Sequence, residues 1–191
     1  MELSDFVEVS SGRTFANGVH ESHEPTHKVI QLRDFEGLCE STNNLENLVG
    51  TNIESKRKIN ALQNNDVLVV AKGPIKKAVL LSDIPENIVP TQHFLFLRAK
   101  ENSPISMKLV EFYLNSTPIQ QWLKNHAGGT YQSTLTKKAL KKLPFPKVTL
   151  EQEKLILETV DSINHEIELQ QQLINSRNTQ LDIITQRLME K

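Results

Sequence analysis

Residues 147–191 contain neither glycine nor proline, and their apolar residues fall into a register that fixes what this segment can become. Ile156, Val160, Ile163, Ile167, Gln170, Ile174, Arg177, Leu181, Ile184 and Leu188 are spaced alternately by four and three. That is an unbroken a/d seam over more than four heptads, the pattern of a coiled-coil helix. Thr149-Leu150-Glu151-Gln152 supplies a capping box, with Gln152 three residues after the threonine. A helix from 150 to 190 is about 60 Å long at roughly 1.5 Å per residue. A head of ~150 residues is too small to cover such a stripe, so the segment requires another helix as its partner. Gln170 and Arg177 are the two polar intrusions in the seam. Intrusions of this kind sacrifice stability for register or partner choice.

The remainder of the chain predicts an α+β head: a twisted β-sheet with small helices over residues 1–147, followed by the long helix at 148–191. Residues 1–27 are polar and loop-like. Strands are expected at Lys28–Leu32 and His93–Arg98. A hairpin is expected from Val67–Ala71 to Ala78–Leu81, turning at Lys72-Gly73-Pro74. The His93–Arg98 run is apolar on both faces and so belongs at the centre of a sheet. Ser103-Pro104 and Thr117-Pro118 are helix-start signals, Thr136 caps a short helix at Lys137–Leu143, and Pro144-Phe145-Pro146 forces a stiff exit. Asn52–Asn65 reads as loop or short helix.

With 38% hydrophobic and 24% charged residues, the composition suits a folded soluble domain rather than a disordered chain. No apolar run approaches the roughly 18 residues of a membrane helix, and the acidic start Met1–Asp5 argues against a secretory signal. A lone Cys39 fits a reducing compartment, so a cytoplasmic location is expected. The net charge of −1 conceals a strong asymmetry. Residues 1–55 carry ten acidic and three basic side chains, residues 56–148 five and fifteen, and residues 149–191 eight and four. A basic middle between acidic flanks is the footprint of a phosphate-binding surface or, more simply, a solvated lysine-rich face.

Phosphate-loop, nucleophile-elbow and zinc-protease motifs are missing from the sequence, and no cofactor is expected. Two weak patterns compete. His20, His23 and His27 lie close together, but Pro25 breaks the helix that would align the last two, and a solvated loop is the default. Asp34 with Glu54-Ser55-Lys56 has the D…ExK form of a metal-dependent nuclease, in a poor strand context.

In order and spacing, several segments resemble the specificity (S) subunits of type I restriction-modification systems. They are Lys28-Val29-Ile30-Gln31-Leu32-Arg33-Asp34-Phe35-Glu36-Gly37, Leu62-Gln63-Asn64-Asn65-Asp66-Val67-Leu68-Val69, the His93–Arg98 strand and Tyr113-Leu114-Asn115-Ser116. Gly128-Gly129-Thr130-Tyr131-Gln132 follows, leading through Leu135, Leu140 and Leu143-Pro144-Phe145-Pro146 to Glu151-Gln152-Glu153. The resemblance covers Val29 to the C-terminus and fits a half-length form, with one target-recognition domain and one helix where the usual subunit holds two of each. It implies a non-catalytic protein that reads one half of a split site in double-stranded DNA. Its partners would be separate adenine methyltransferase subunits, with or without a restriction subunit, and a second copy paired antiparallel through the helix. Under this resemblance Lys56, Arg57, Lys58, Lys72, Lys76, Lys77, Lys137, Lys138 and Lys141 are phosphate-contact candidates, the hairpin loop around Gly73 foremost. Arg13, Gln92, His93, Tyr131 and Gln132 are base-reading candidates. Tyr131 and His93 also admit purely structural roles. The alternatives are a nuclease using Asp34, Glu54 and Lys56, and a dimeric scaffold whose basic face is incidental.

The seam makes a direct prediction. Ile163→Lys together with Ile167→Lys is expected to abolish self-association in sedimentation velocity, and an unchanged mass refutes the seam.

Overall fold

The computed structural model describes residues 1–40, 45, 47–54, 59–73, 76–128 and 133–189. The chain divides into two compact units, Met1–Lys147 and Val148–Lys191. The first contains strands β1 (Val7–Ser11), β2 (His27–Ile30), β3 (Val49–Thr51), β4 (Val67–Val70), β5 (Ala78–Leu80), β6 (Ile88–Pro90) and β7 (Phe94–Ala99). Its helices are α1 (Phe35–Glu40), α2 (Met107–Asn115), α3 (Thr117–His126) and α4 (Lys137–Lys141). The second unit is the single helix α5 (Leu150–Met189). The α+β class is as the sequence predicts.

Two sheets form, one of four strands in the order β1-β7-β4-β5 and one of three in the order β3-β2-β6. The larger is antiparallel throughout. In the smaller, β2 pairs antiparallel with β3 and parallel with β6. The expected hairpin is β4–β5, with Val67 opposite Leu80 and Val69 opposite Ala78. The expected central strand is β7, flanked by β1 and β4. Successive side chains of a strand alternate between faces. Leu68, Val70, Phe94 and Phe96 accordingly join Ile30, Phe35, Leu38 and Ile88 in one buried cluster. Val67, Val69, Leu95 and Leu97 fill the other face and are equally buried.

The edge strand β5 is capped rather than left open. Asn115 on α2 accepts from the Ala78 N–H and donates to the Ala78 carbonyl, both at 2.9 Å. Gln120 on α3 treats the N–H and C=O of Lys76 the same way, at 3.3 and 3.1 Å. The Leu80 backbone bonds to the Glu111 carboxyl, whose pKa burial raises while this bond opposes the rise. Side chains at alternate strand positions thus replace the missing neighbour and block edge-to-edge pairing.

Several elements differ from expectation. Residues 1–27 include β1, where Val7 and Val9 are buried against β7. The Ser103-Pro104 signal does not start a helix. Ile105 is drawn into the core, and Ser106 becomes the cap of α2, its Oγ accepting from the Leu109 N–H at 3.2 Å. Helix α4 has its expected cap, Thr136 Oγ1 accepting from Ala139 N–H at 3.1 Å, but stops at Lys141 instead of Leu143. Residues 143–145 pair with the N-terminus instead: Leu3 N–H donates to the Leu143 carbonyl at 2.8 Å and Phe145 N–H to Met1 at 2.9 Å. The buried Phe145 ring meets those of Phe6 and Tyr113 at 5.4 and 4.8 Å.

In the second unit the predicted capping box is present in both directions. Gln152 N–H donates to Thr149 Oγ1 at 3.3 Å, and Thr149 N–H to Gln152 Oε1 at 3.0 Å. The seam side chains Ile163, Ile167, Ile174, Leu181, Ile184 and Leu188 are all more than half exposed. Ile156 and Val160 are half-buried. Gln170 and Arg177 bond along their own helix, to Glu166 at 3.3 Å and Gln180 at 2.9 Å. Among the described residues no helix is long and apolar enough to cross a membrane.

Asp66 is fully buried at the entry to β4. Its carboxylate takes a bidentate pair from Arg98, at 2.8 and 2.6 Å, and the Gln63 N–H at 2.9 Å. Arg98 also reaches the Ala61 carbonyl at 3.0 Å, which ties the 61–66 loop to β7. Removing one member of such a pair strands the other charge. Asp66→Ala is therefore expected to cost about 3 kcal/mol, at the lower end of the range because Arg98 keeps some solvent contact. Urea denaturation checks this, and a loss near zero contradicts it.

Candidate nucleic-acid interface

Because neighbouring strands of the larger sheet run antiparallel, β1 ends, β7 begins and β4 ends at the same edge. There the chain joins the two sheets. Gly12 N–H donates to the Phe94 carbonyl at 3.0 Å, Arg13 N–H to Pro90 at 2.8 Å, and Thr91 N–H to Ile30 at 3.0 Å. The backbones come so close that a Cβ on Gly12 would lie 2.0 Å from the Thr91 oxygen, so only glycine fits.

This junction leaves a concavity of about 280 Å³ whose rim includes Arg13, Gln31, Leu32, Arg33, Gln92 and His93. Three of the base-reading candidates, Arg13, Gln92 and His93, meet here although the sequence separates Arg13 from the other two by almost eighty residues. Gln92 Oε1 accepts from Thr14 Oγ1 at 3.2 Å, and His93 Nδ1 shares a hydrogen bond with Thr91 Oγ1 at 3.3 Å. Two guanidinium groups line the cleft, and no carboxylate is among its described lining residues. The Arg33 side chain is 66% exposed and sits 3.7 Å from the carboxylate of Asp34.

The β4–β5 hairpin loop adjoins the cleft. The N–H groups of Ala71 and Lys72 both donate to the His93 carbonyl, at 2.7 and 3.3 Å. Leu135 N–H donates to Ala71 at 2.8 Å, and Gly128 and Thr134 exchange backbone bonds at 3.0 and 2.8 Å. Lys72 is half-buried, and Lys77 is exposed beside the Cys39 thiol. Burial pushes that thiol's pKa up, and Lys77 pulls it back down.

Lys76, expected to contact phosphate, is instead 1% exposed. Its ammonium donates to the carbonyls of Ala71 at 3.0 Å, Gly73 at 2.6 Å and Ser133 at 2.5 Å. Burial lowers its pKa, and three carbonyl acceptors hold the charge in place. The side chain staples the hairpin loop to the segment before α4. A run of lysines in the sequence does not reveal which of them turns inward.

Lys137, Lys138 and Lys141 are exposed on α4. None of them lines the cleft, and Lys141 borders a separate, larger concavity of about 550 Å³ with Asp5, Glu8 and Lys100. Lys56, Arg57, Lys58, Tyr131 and Gln132 lie outside the described residues. The nuclease pattern gains nothing from the structure. Asp34 accepts the Gln31 N–H at 2.8 Å and so serves as a local cap, and Lys56 falls outside the described residues. His20 bonds the Asn17 carbonyl at 2.6 Å and His27 the Thr26 hydroxyl at 2.8 Å. Among the described residues no three His, Cys, Asp or Glu side chains gather to hold a metal. The rim residues named above that sequence reasoning missed are Gln31, Leu32 and Arg33. Their signal was a polar–apolar–basic run, Gln31-Leu32-Arg33, directly after the β2 strand and within a stretch already read as family-like.

The family model described as type I restriction modification DNA specificity domain matches residues 1–176. No curated protein sequence matches the chain. Among solved structures, the type I restriction-modification system S subunit from M. genitalium aligns with a TM-score of 0.56 at 15% identity, over 88% of this chain and 39% of its own length. A chain from a type I R-M system, solved to explain complex assembly and conformational transition, aligns with a TM-score of 0.60 at 14% identity, over 88% of this chain and 38% of its own. The chain thus spans well under half the length of these relatives, and they share its fold. With the model match running through both the two-sheet head and most of α5, the chain belongs to the family of type I restriction modification DNA specificity domains.

Proposed function

We propose that this chain is a sequence-reading subunit that docks its head on one half of a split site in double-stranded DNA and performs no chemistry itself. One observation carries the proposal: Arg13, Gln92 and His93 converge on a cleft beside the lysine-bearing hairpin loop. Base-edge reading needs a few fixed polar side chains, and positioning needs flanking cations on phosphates. The head offers both at one end of its larger sheet. Lys72, bonded through its backbone to His93, is the phosphate contact beside the cleft, with Lys77, Lys137, Lys138 and Lys141 as further ones. Adenine methylation falls to separate methyltransferase subunits, which this chain directs to their site.

Helix α5 serves as the spacer and pairs with a second copy. The polar seam favours an antiparallel arrangement. Parallel pairing in register sets two Arg177 guanidinium groups opposite each other in the seam. Antiparallel pairing that overlaps all ten positions puts Arg177 opposite Ile167 and leaves the two arginines roughly 15 Å apart along the axis, at 1.5 Å per residue. Twofold symmetry of this kind presents two heads to a palindromic split site.

The contrast between neighbouring lysines tests the proposal. Lys72→Ala with Lys77→Ala is expected to weaken binding to all duplexes and to lower the slope of log K against log salt by about two, roughly one per lost phosphate contact. Lys76→Met is expected to leave that slope unchanged while costing about 3 kcal/mol of stability, because carbonyls lose a buried donor. Fluorescence anisotropy over a salt series and urea denaturation give the two readouts. A slope indifferent to Lys72 and Lys77 rejects the phosphate assignment.

A further inference from the structure

The hydrogen-bonding character of the cleft restricts which base pair it can accept. Arg13 carries a guanidinium with no hydrogen-bond or ion-pair partner among the described residues, and the Arg33 fork is engaged only by its half-buried neighbour Asp34. The side-chain carbonyl of Gln92 accepts from the Thr14 hydroxyl, which turns the amide so that both N–H donors and one remaining lone pair stay available. Thr91 Oγ1 and His93 Nδ1 share a hydrogen bond, which leaves the His93 Nε2 atom as a further polar group of the cleft. Donors therefore outnumber free acceptors on this surface, and no carboxylate among its described lining residues restores the balance. Half-buried Phe15 and 43% exposed Leu32 make up the apolar part of the rim.

In the major groove each base shows a different pattern. Cytosine offers an amino donor, for which this cleft has no carboxylate. Adenine offers one acceptor and one donor and suits an amide that can do both; Gln31 and Gln92 both line the cleft, the Gln92 carbonyl already accepting from Thr14, so an A·T pair is the competing assignment that the test below decides. Thymine offers a single acceptor and a methyl group. Guanine offers two acceptors, O6 and N7, spaced for the fork of an arginine. The volume of about 280 Å³ falls just below the roughly 300–1,000 Å³ of small-molecule pockets, in keeping with a base edge leaning in rather than an enclosed ligand.

We infer that the cleft between the two sheets reads a G·C pair from the major groove, with the Arg13 guanidinium donating to guanine O6 and N7 and Gln92 bordering the contact. This rests on the DNA-reading function proposed above and adds the identity of one base pair to it. Arg13 is well placed for such a role, because its backbone is fixed by the Pro90 carbonyl and the Thr91 bridge while its side chain remains available.

The test is selection from a randomised duplex pool by the full chain, assembled with adenine methyltransferase subunits, followed by sequencing of the bound fraction. Wild type is expected to enrich G·C at one position of its half-site by roughly tenfold to a hundredfold, the discrimination of one bidentate pair. Arg13→Lys keeps the charge and lacks the fork, and Arg13→Ala lacks both. Each is expected to lose preference at that one position and to retain it elsewhere in the half-site. Sequence enrichment with no position that depends on Arg13 overturns the guanine assignment and leaves the DNA-reading function standing. Dependence on Arg13 at an A·T pair also overturns it. No enrichment over the starting pool by the wild-type assembly overturns the DNA-reading function, and the guanine assignment with it. A circular-dichroism melt of both variants separates lost reading from lost folding.

Discussion

The junction at Gly12 is the constraint on which the head depends. Two sheets of different topology, one antiparallel and one mixed, are held in register there by backbone bonds from Gly12, Arg13 and Thr91. Those bonds exist because residue 12 has no Cβ to strike the Thr91 carbonyl. Backbone-to-backbone fixation suits the reading role proposed for this surface. A side chain that must recognise a base edge has to be held within about half an ångström, and a loop anchored only by side chains does not meet that tolerance. Arg13, Gln92 and His93 inherit their placement from strand ends rather than from flexible connections.

Lys76 shows the same principle in a different chemical form. A buried ammonium is costly unless every donor is satisfied, and here three carbonyls from two separate segments converge on it. Its neighbours have the opposite fate, with Lys72 half-buried beside the cleft edge and Lys77 exposed. Adjacent side chains on a strand point to opposite faces, so a Lys-Lys pair entering β5 divides naturally into one structural and one solvent-facing cation. Counting lysines as phosphate contacts therefore overstates a basic patch wherever two of them stand side by side at a strand end.

What could be read from the sequence follows the strength of its periodicity. The α5 capping box, the β4–β5 hairpin and the central position of β7 were legible because each has a long or doubly apolar signature with clear turn residues at its ends. Strands β3 and β6 are three residues each, too short for any alternation to stand out, and both owe their existence to pairing with β2. The N-terminal strand β1 was hidden by its polar surroundings, although Val7 and Val9 alternate as they should. Helix α2 began at Ser106 rather than Ser103 because burial of Ile105 outweighed a good local start signal. At the candidate interface, individual residue types were legible and their convergence was not. Nothing in the spacing of Arg13 and His93 announces that the ends of β1 and β7 adjoin.

The charge distribution then divides labour between the two units. Residues 149–191 carry eight acidic and four basic side chains, whereas residues 56–148 carry five and fifteen. A duplex presents closely spaced negative charge along its whole length, so an acidic helix gains nothing by lying against it. Exposed charges separated by more than about 8 Å are screened at physiological salt; the repulsion therefore acts where helix and phosphates come close, and there it keeps the helix off the duplex. The apolar seam of α5 meanwhile stays available to another helix, since DNA offers it no apolar surface to cover. The same sequence that gives the helix an apolar seam makes it a poor ligand for DNA, which is why the proposed reading assigns recognition to the basic head.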